Sequence, residues 1–161
     1  MTRKIDQHEQ LIEHIKGVRR IVINDCFGGF GLSEEAVTAY LQLLGKSVWP
    51  EDDKQYNGMG LITYWLIPPE ADRVNPKPDN WNKMTVAERT AHNQAYQQQV
   101  FDPNDIVRDD AYLVQIVKEL GDLASGKHAK LKVVEIPADV DWQIEEYDGN
   151  EWVAEVHRTW R

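Results

Sequence analysis

The chain has 161 residues, of which 42% are hydrophobic and 28% charged, and its formal net charge is −9. That length and balance describe one domain with a core of its own. The acidity argues against a protein that grips nucleic-acid phosphates through a basic stripe or settles on an anionic membrane surface, leaving a basic partner, a metal cation or plain solubility.

Cys26 is the single cysteine, which excludes an internal disulfide and a Cys-rich zinc site and suits a reducing compartment. The start, Met1-Thr2-Arg3-Lys4-Ile5-Asp6, has no apolar leader segment, and no apolar run reaches the length of a bilayer span. A cytosolic location is expected. No internal repeat or low-complexity segment is visible.

In chain order, Ile5, Ile12 and Ile15 with His8 predict a short helix over 5–16, ended by Gly17. The Val/Ile-rich stretch 18–25 predicts a strand. A glycine-rich turn follows, Gly28-Gly29-Phe30-Gly31, and Ser33 is placed to cap a helix whose first turn holds Glu34 and Glu35. Val37, Tyr40, Leu41 and Leu44 make its apolar stripe and Gly45 stops it. Residues 46–60 are polar and irregular. Leu61 to Ile67 predicts a strand closed by Pro68-Pro69, and 70–84 a loop containing Pro76 and Pro78. Thr85-Val86-Ala87-Glu88 is a capping box opening a polar surface helix to about Gln99. Residues 46–104 thus read as an excursion. Its tryptophans, Trp49, Trp65 and Trp81, are expected to be partly exposed and to form the preferred interaction surface.

Asp109 or Asp110 is expected to cap a helix over 110–124 whose buried face is Leu113, Ile116, Val117, Leu120 and Ala124. Lys130 to Ile136 predicts a strand, and 141–160 a hairpin. A two-residue turn at Asp148-Gly149 would set Ile144 opposite Val153. A three-residue loop, Tyr147-Asp148-Gly149, sets Ile144 opposite Trp152 and gathers Trp142, Ile144, Trp152, Ala154 and Val156 on one buried face, so the pattern favours the second register. Glu145 would then face Glu151, an arrangement that needs water, a cation or a basic group between them. Trp142, Trp152 and Trp160 are expected in the core.

The candidate site is the glycine turn with the strand end before it: Asn24, Asp25, Phe27, Gly28, Gly29, Phe30, Gly31 and Ser33. Glycines allow close backbone approach, and a helix start offers free N–H groups to a phosphate or carboxylate. There is no Walker lysine and no G-x-G-x-x-G spacing, so a structural turn is the competing reading. Asp25 is expected to accept from amides of the turn or to touch a ligand. Cys26 is expected to act as a small buried hydrophobe. His8, His14, His92, His128 and His157 show no metal-ligand spacing, and Ser33 and Ser125 need no role beyond capping. No cofactor and no metal are expected.

The stretches Val22-Ile23-Asn24-Asp25-Cys26-Phe27-Gly28-Gly29-Phe30-Gly31-Leu32-Ser33, Arg108-Asp109-Asp110 through Leu113-Val114 with Glu119-Leu120-Gly121, Lys130 to Pro137, and Trp142 to Gly149 through Trp152 and His157-Arg158-Thr159-Trp160 resemble a family of small uncharacterised proteins encoded by tailed bacteriophages and prophages. The likeness covers about half of the chain, at its two ends, and carries no known activity. It implies an accessory phage protein made in the bacterial cytoplasm, not a virion building block.

The expectation is therefore a single α+β domain. A small mixed or antiparallel sheet (strands near 18–25, 61–67 and 130–136 and the C-terminal hairpin) would be packed by two or three helices, with 46–104 projecting as a helical and loop excursion. The leading functional expectation is a non-enzymatic protein that modulates the host, in the manner of an anti-defence factor. It would bind a host protein or sequester a small anionic, nucleotide-like ligand, with homo-oligomers allowed and neither nucleic acid nor membrane as partner. One alternative is a metal-dependent enzyme on nucleotides or phosphoesters, using Asp25 with Glu145, Glu151 and Glu155. A weaker one is an acidic mimic of nucleic acid.

Overall fold

The Val/Ile run after Gly17 becomes β1 (Val18–Asn24) in the computed structural model, which describes residues 17–52 and 61–157. The predicted helix over 5–16, with His8 and His14, and Trp160 lie outside the described residues. The architecture is α+β: among the described residues there are three α-helices and seven strands, and the strands form three small antiparallel sheets. The expected single sheet is thereby corrected. Among the described residues β1 pairs only with β5 (Leu131–Pro137), the C-terminal hairpin stands as its own sheet, and the 62–65 strand belongs to a third. The described residues divide into two compact units, one comprising those up to Tyr40 and from Pro103 onward, the other Leu41–Asp102. No helix among them is long and apolar enough to cross a membrane.

In the first unit, β1 and β5 run antiparallel from Val18 opposite Pro137 to Asn24 opposite Leu131. Arg20 and Glu135 sit directly across the ladder and close an ion pair of 2.8 Å. Ile21 to Asn24 are all buried, so β1 is covered on both faces at that end. Ser33 caps α1 (Glu34–Leu43), its Oγ accepting the Ala36 N–H at 3.1 Å. Val37, Tyr40 and Leu41 of the predicted stripe are buried, but Leu44 falls just past the last helical residue and is exposed.

Asp110, not Asp109, caps the next α-helix of this unit, Ala111–Leu120, accepting from the N–H groups of Tyr112 and Leu113, both at 2.9 Å. Such a cap contributes about 1 kcal/mol. Leu113, Ile116 and Val117 are buried, each side chain stabilising by about 1.5–3 kcal/mol. The helix ends earlier than expected. Gly121 takes φ +56 and a 3-10 turn, Gly121–Ala124, carries the buried Ala124.

The hairpin β6 (Trp142–Tyr147) and β7 (Asn150–Glu155) adopts the register the apolar pattern disfavoured. Trp142 faces Glu155, Ile144 faces Val153, Glu145 faces Trp152 and Tyr147 faces Asn150. The two-residue turn has φ +50 at Asp148 and +81 at Gly149; two positive values are what a type I′ turn needs, and its twist matches the strands. A shift of one residue turns every β7 side chain over. Trp152 therefore points away from the unit and is 43% exposed, Trp142 is half-buried, and Glu151 points inward. Glu145 no longer faces Glu151.

The second unit holds a strand at Trp49–Asp52, inside the stretch 46–60 that was expected to be irregular, next to the strand expected near 61–67. β2 (Trp49–Asp52), β3 (Ile62–Trp65) and β4 (Val100–Phe101) form a three-stranded antiparallel sheet with β3 in the centre. Pro50 is tolerated because β2 is an edge strand. Trp65 is buried rather than partly exposed: Tyr96 meets it edge-on at 5.7 Å, and the Arg73 guanidinium lies 4.6 Å over its ring while pairing with Glu51 at 2.7 Å. Trp49 and Trp81 are half-buried. α2 (Val86–Gln99) opens on the predicted capping box and has no buried side chain, a surface helix as its composition suggested. The hydrogen bonds from Thr85 hold the Glu88 carboxyl below its ordinary value. With α2 assigned, the helix Ala111–Leu120 is α3.

Candidate functional site

The predicted site begins where β1 ends, and its centre is Asn24, which is fully buried. A buried carboxamide must have its polar atoms bonded, and Asn24 meets this with one nearby partner and two distant ones. Its Nδ2 donates to the carbonyl oxygens of Cys26 at 2.8 Å and Gly149 at 2.6 Å, and its Oδ1 accepts the Lys130 N–H at 2.7 Å. Its own backbone N–H donates to Glu151 Oε2 at 2.8 Å. One residue thus ties the end of β1, the start of β5 and the tip of the hairpin.

The glycines allow these segments to meet. A Cβ on Gly28 would lie 1.6 Å from the His128 carbonyl oxygen, and one on Gly149 would lie 2.5 Å from the Gly29 backbone nitrogen. The hairpin turn and the 127–129 segment are therefore seated on the Gly28-Gly29 backbone. Gly31 differs, since nothing lies within 4 Å of its added Cβ; its carbonyl accepts the Gly126 N–H at 2.9 Å. Among the described residues, no acceptor is found for the backbone N–H groups of Gly28, Gly29, Phe30 or Gly31.

Beside Asn24, Glu151 and Arg108 make a forked ion pair, Nη1 to Oε2 at 2.9 Å and Nη2 to Oε1 at 3.0 Å. The guanidinium lies 3.3 Å from the centroid of the Phe30 ring. Arg108 is fixed by its own backbone, whose carbonyl accepts the Val22 N–H at 2.8 Å. The edge of β1 away from β5 is thus closed by a backbone carbonyl at Val22 and a carboxylate at Asn24, so it offers no template for another strand there. Farther along, Asp110 hydrogen-bonds the Tyr40 phenol. Burial, with the Asp110 charge and hydrogen bond adding to it, pushes that phenol from its ordinary 10 up to about 12.

The other candidates sort as follows. Asp25 does not accept from the glycine turn among the described residues; it pairs with Lys132 at 3.1 Å, both side chains well exposed. Cys26 is half-buried, its Sγ 3.4 Å from Asn24 Oδ1 and 3.3 Å from the His128 carbonyl. Phe27 projects into solvent, 67% exposed, whereas Phe30 lies under Arg108. Ser33 serves α1 and donates its O–H to the Leu123 carbonyl. Ser125 is the C-cap of the 3-10 turn, its N–H donating to the Asp122 carbonyl at 3.2 Å, and its Oγ accepts the Leu131 N–H at 2.9 Å. His92 bonds the Asn75 carbonyl at 2.6 Å.

The chain matches no protein-family model, no curated protein and no solved structure. The chemistry of the site must therefore be read from its geometry alone.

That geometry separates the carboxylates proposed for a metal. Glu145 and Glu151 lie on opposite faces of the hairpin, and Glu151 is already neutralised by Arg108. Among the described residues no three histidine, cysteine, aspartate or glutamate side chains gather as a metal site would need. An anion at the α1 start would meet Glu34 and Glu35 in its first turn, next to a serine that already serves as cap. What the site does offer is the hairpin's outer face. Tyr147 is 72% exposed, and Trp152 and Val156 follow on the same side. Glu145 lies between, accepting the Trp152 indole N–H and Gln143 Nε2, both at 3.0 Å. Sequence reasoning missed Arg108, Gly149 and Glu151 as partners of the glycine turn. All three lie far along the chain from the turn they meet, so no local pattern marks them.

Proposed function

We propose that this chain is a non-enzymatic accessory protein of phage type, working in the bacterial cytoplasm, that modulates the host by binding a host protein. The observation that carries this reading is the contrast across one strand pair. The hairpin's inner face is fastened by Asn24, Arg108 and Glu151, while its outer face presents Tyr147 and Trp152 to solvent. Aromatic side chains with few rotamers, held on a fixed ribbon, favour protein interfaces because little ordering remains to be done on binding. The glycine turn supports this role by seating the hairpin. A small anionic ligand is the weaker reading, because the α1 start is self-capped and flanked by acids.

The test is co-purification of the tagged full chain from bacterial host lysate, paired with calorimetry against a nucleotide panel. A retained protein, saturable and competed by untagged chain, with no nucleotide binding, is the expected result. Nucleotide binding without a protein partner overturns the reading in favour of a small-ligand protein; turnover of any nucleotide overturns its non-enzymatic part.

A further inference from the structure

The two faces of the β6–β7 hairpin hold the same kinds of group. On the inner face a carboxylate, Glu151, and an aromatic ring, Phe30, flank the Arg108 guanidinium, which forks onto the one and stacks on the other. On the outer face Glu145 stands directly across from Trp152, fixed by the indole N–H at 3.0 Å, with Tyr147 two pairs farther along on the same face. Each Glu145 oxygen accepts one bond, from Trp152 or Gln143, and keeps a further lone pair. Among the described residues no lysine or arginine pairs with Glu145, Glu146, Asp148 or Glu155. From Asp139 to Glu155 the chain carries seven carboxylates and neither lysine nor arginine.

We infer that this outer face is a docking surface for an arginine-bearing segment of a partner protein, whose guanidinium lies against the Trp152 or Tyr147 ring and donates to the Glu145 carboxylate. The inference rests on the reading of the chain as a protein binder and names the chemistry of the partner. Arginine fits better than lysine because its planar, weakly hydrated head stacks on a ring and still presents its fork to a carboxylate. The surrounding acids steer such a segment inward and repel nucleic acid. The ribbon is anchored from behind at Asn24 and Arg108, so the outer groups stay in place as the partner arrives.

Calorimetry with the full chain at low ionic strength tests it, using short peptides of alternating arginine and serine and matched peptides of lysine and serine. The arginine peptide is expected to bind about tenfold more tightly than the lysine peptide. Glu145→Gln and Trp152→Ser should each weaken it by roughly tenfold, and Glu155→Gln, on the other face, by less than about threefold. Unchanged circular dichroism and melting show that the variants fold. Equal affinity for the two peptides, or arginine binding indifferent to both outer-face variants, overturns the inference. A host protein captured equally by wild-type and Trp152→Ser chains also overturns it, yet leaves the binding reading standing. Nucleotide binding without a protein partner overturns that reading itself.

Discussion

The inner and outer faces of the hairpin are built from the same six-residue strands, and they differ in what their polar groups have found. Inward, Glu151 meets a guanidinium and a buried amide; outward, Glu145 meets, among the described residues, only an indole N–H and a side-chain amide. The difference shows why the register is what it is. Burying Trp152 would gain apolar area, but it would turn Glu151 outward and leave Arg108 and the Asn24 N–H without their partner. Orphaning a half-buried charge costs more than one additional apolar side chain returns. A polar lock decided the face, and the aromatic side chains were left for solvent or for a partner.

The largest break in this comparison comes from Asn24→Ala. It orphans the Lys130 N–H and the carbonyls of Cys26 and Gly149 together, for an expected loss of about 4 kcal/mol. In a chain of this size that lowers the melting midpoint by roughly 10 °C. Calorimetry or thermal circular dichroism reads it; a loss below about 1 kcal/mol would mean that the three segments are held together by something else.

Gly28→Ala comes next, with Gly31→Ala as its partner experiment. The first places a methyl group 1.6 Å from a backbone oxygen and forces the 127–129 segment away, an overpacking cost of about 2–3 kcal/mol. The second meets nothing within 4 Å and should stay within about 0.5 kcal/mol of wild type. Equal effects at the two glycines would show that the turn matters for its flexibility and not for the seat it offers the hairpin.

Much of the frame was legible from sequence because its signals are local. The Val/Ile runs of β1 and β5, the Asp110 cap, the capping box of Thr85 and Glu88, and the stripe of Leu113, Ile116 and Val117 each act within a few residues. The register was not legible, because its deciding partners, Arg108 and Glu151, are 43 residues apart. Asn24 reads as an ordinary strand-end polar residue until Lys130, 106 residues on, is beside it. β2 and β4 are too short to announce themselves and exist because β3 lies between them. Trp65 looked exposed in a polar segment, and it is buried because Tyr96, with Arg73 held by Glu51, covers it.

A paired substitution sharpens the face-to-face contrast more gently. Glu151→Gln removes the charge opposite Arg108 while keeping shape, and should cost about 2 kcal/mol. Glu145→Gln on the exposed face should change stability by less than about 0.5 kcal/mol. Denaturant titration separates the two. A similar cost at both positions would remove the distinction between a locked face and an available one.

The smallest expected effect concerns Tyr40, a buried tyrosine beside the Asp110 cap. Its phenol is raised from 10 to about 12, first by burial and then by the neighbouring carboxylate. A raised folded-state value means that the neutral phenol is favoured in the folded chain. The associated stability is fully present below about pH 10, declines above it and is lost as pH rises through about 12. Ultraviolet titration should show the Tyr40 phenol ionising late. Tyr40→Phe should abolish that late step and flatten the fall in stability between pH 10 and 12. It should leave the Asp110 bonds to Tyr112 and Leu113 in place, because those come from backbone amides that do not titrate. A late step whose amplitude is unchanged in Tyr40→Phe would detach the Tyr40 phenol from burial and from Asp110.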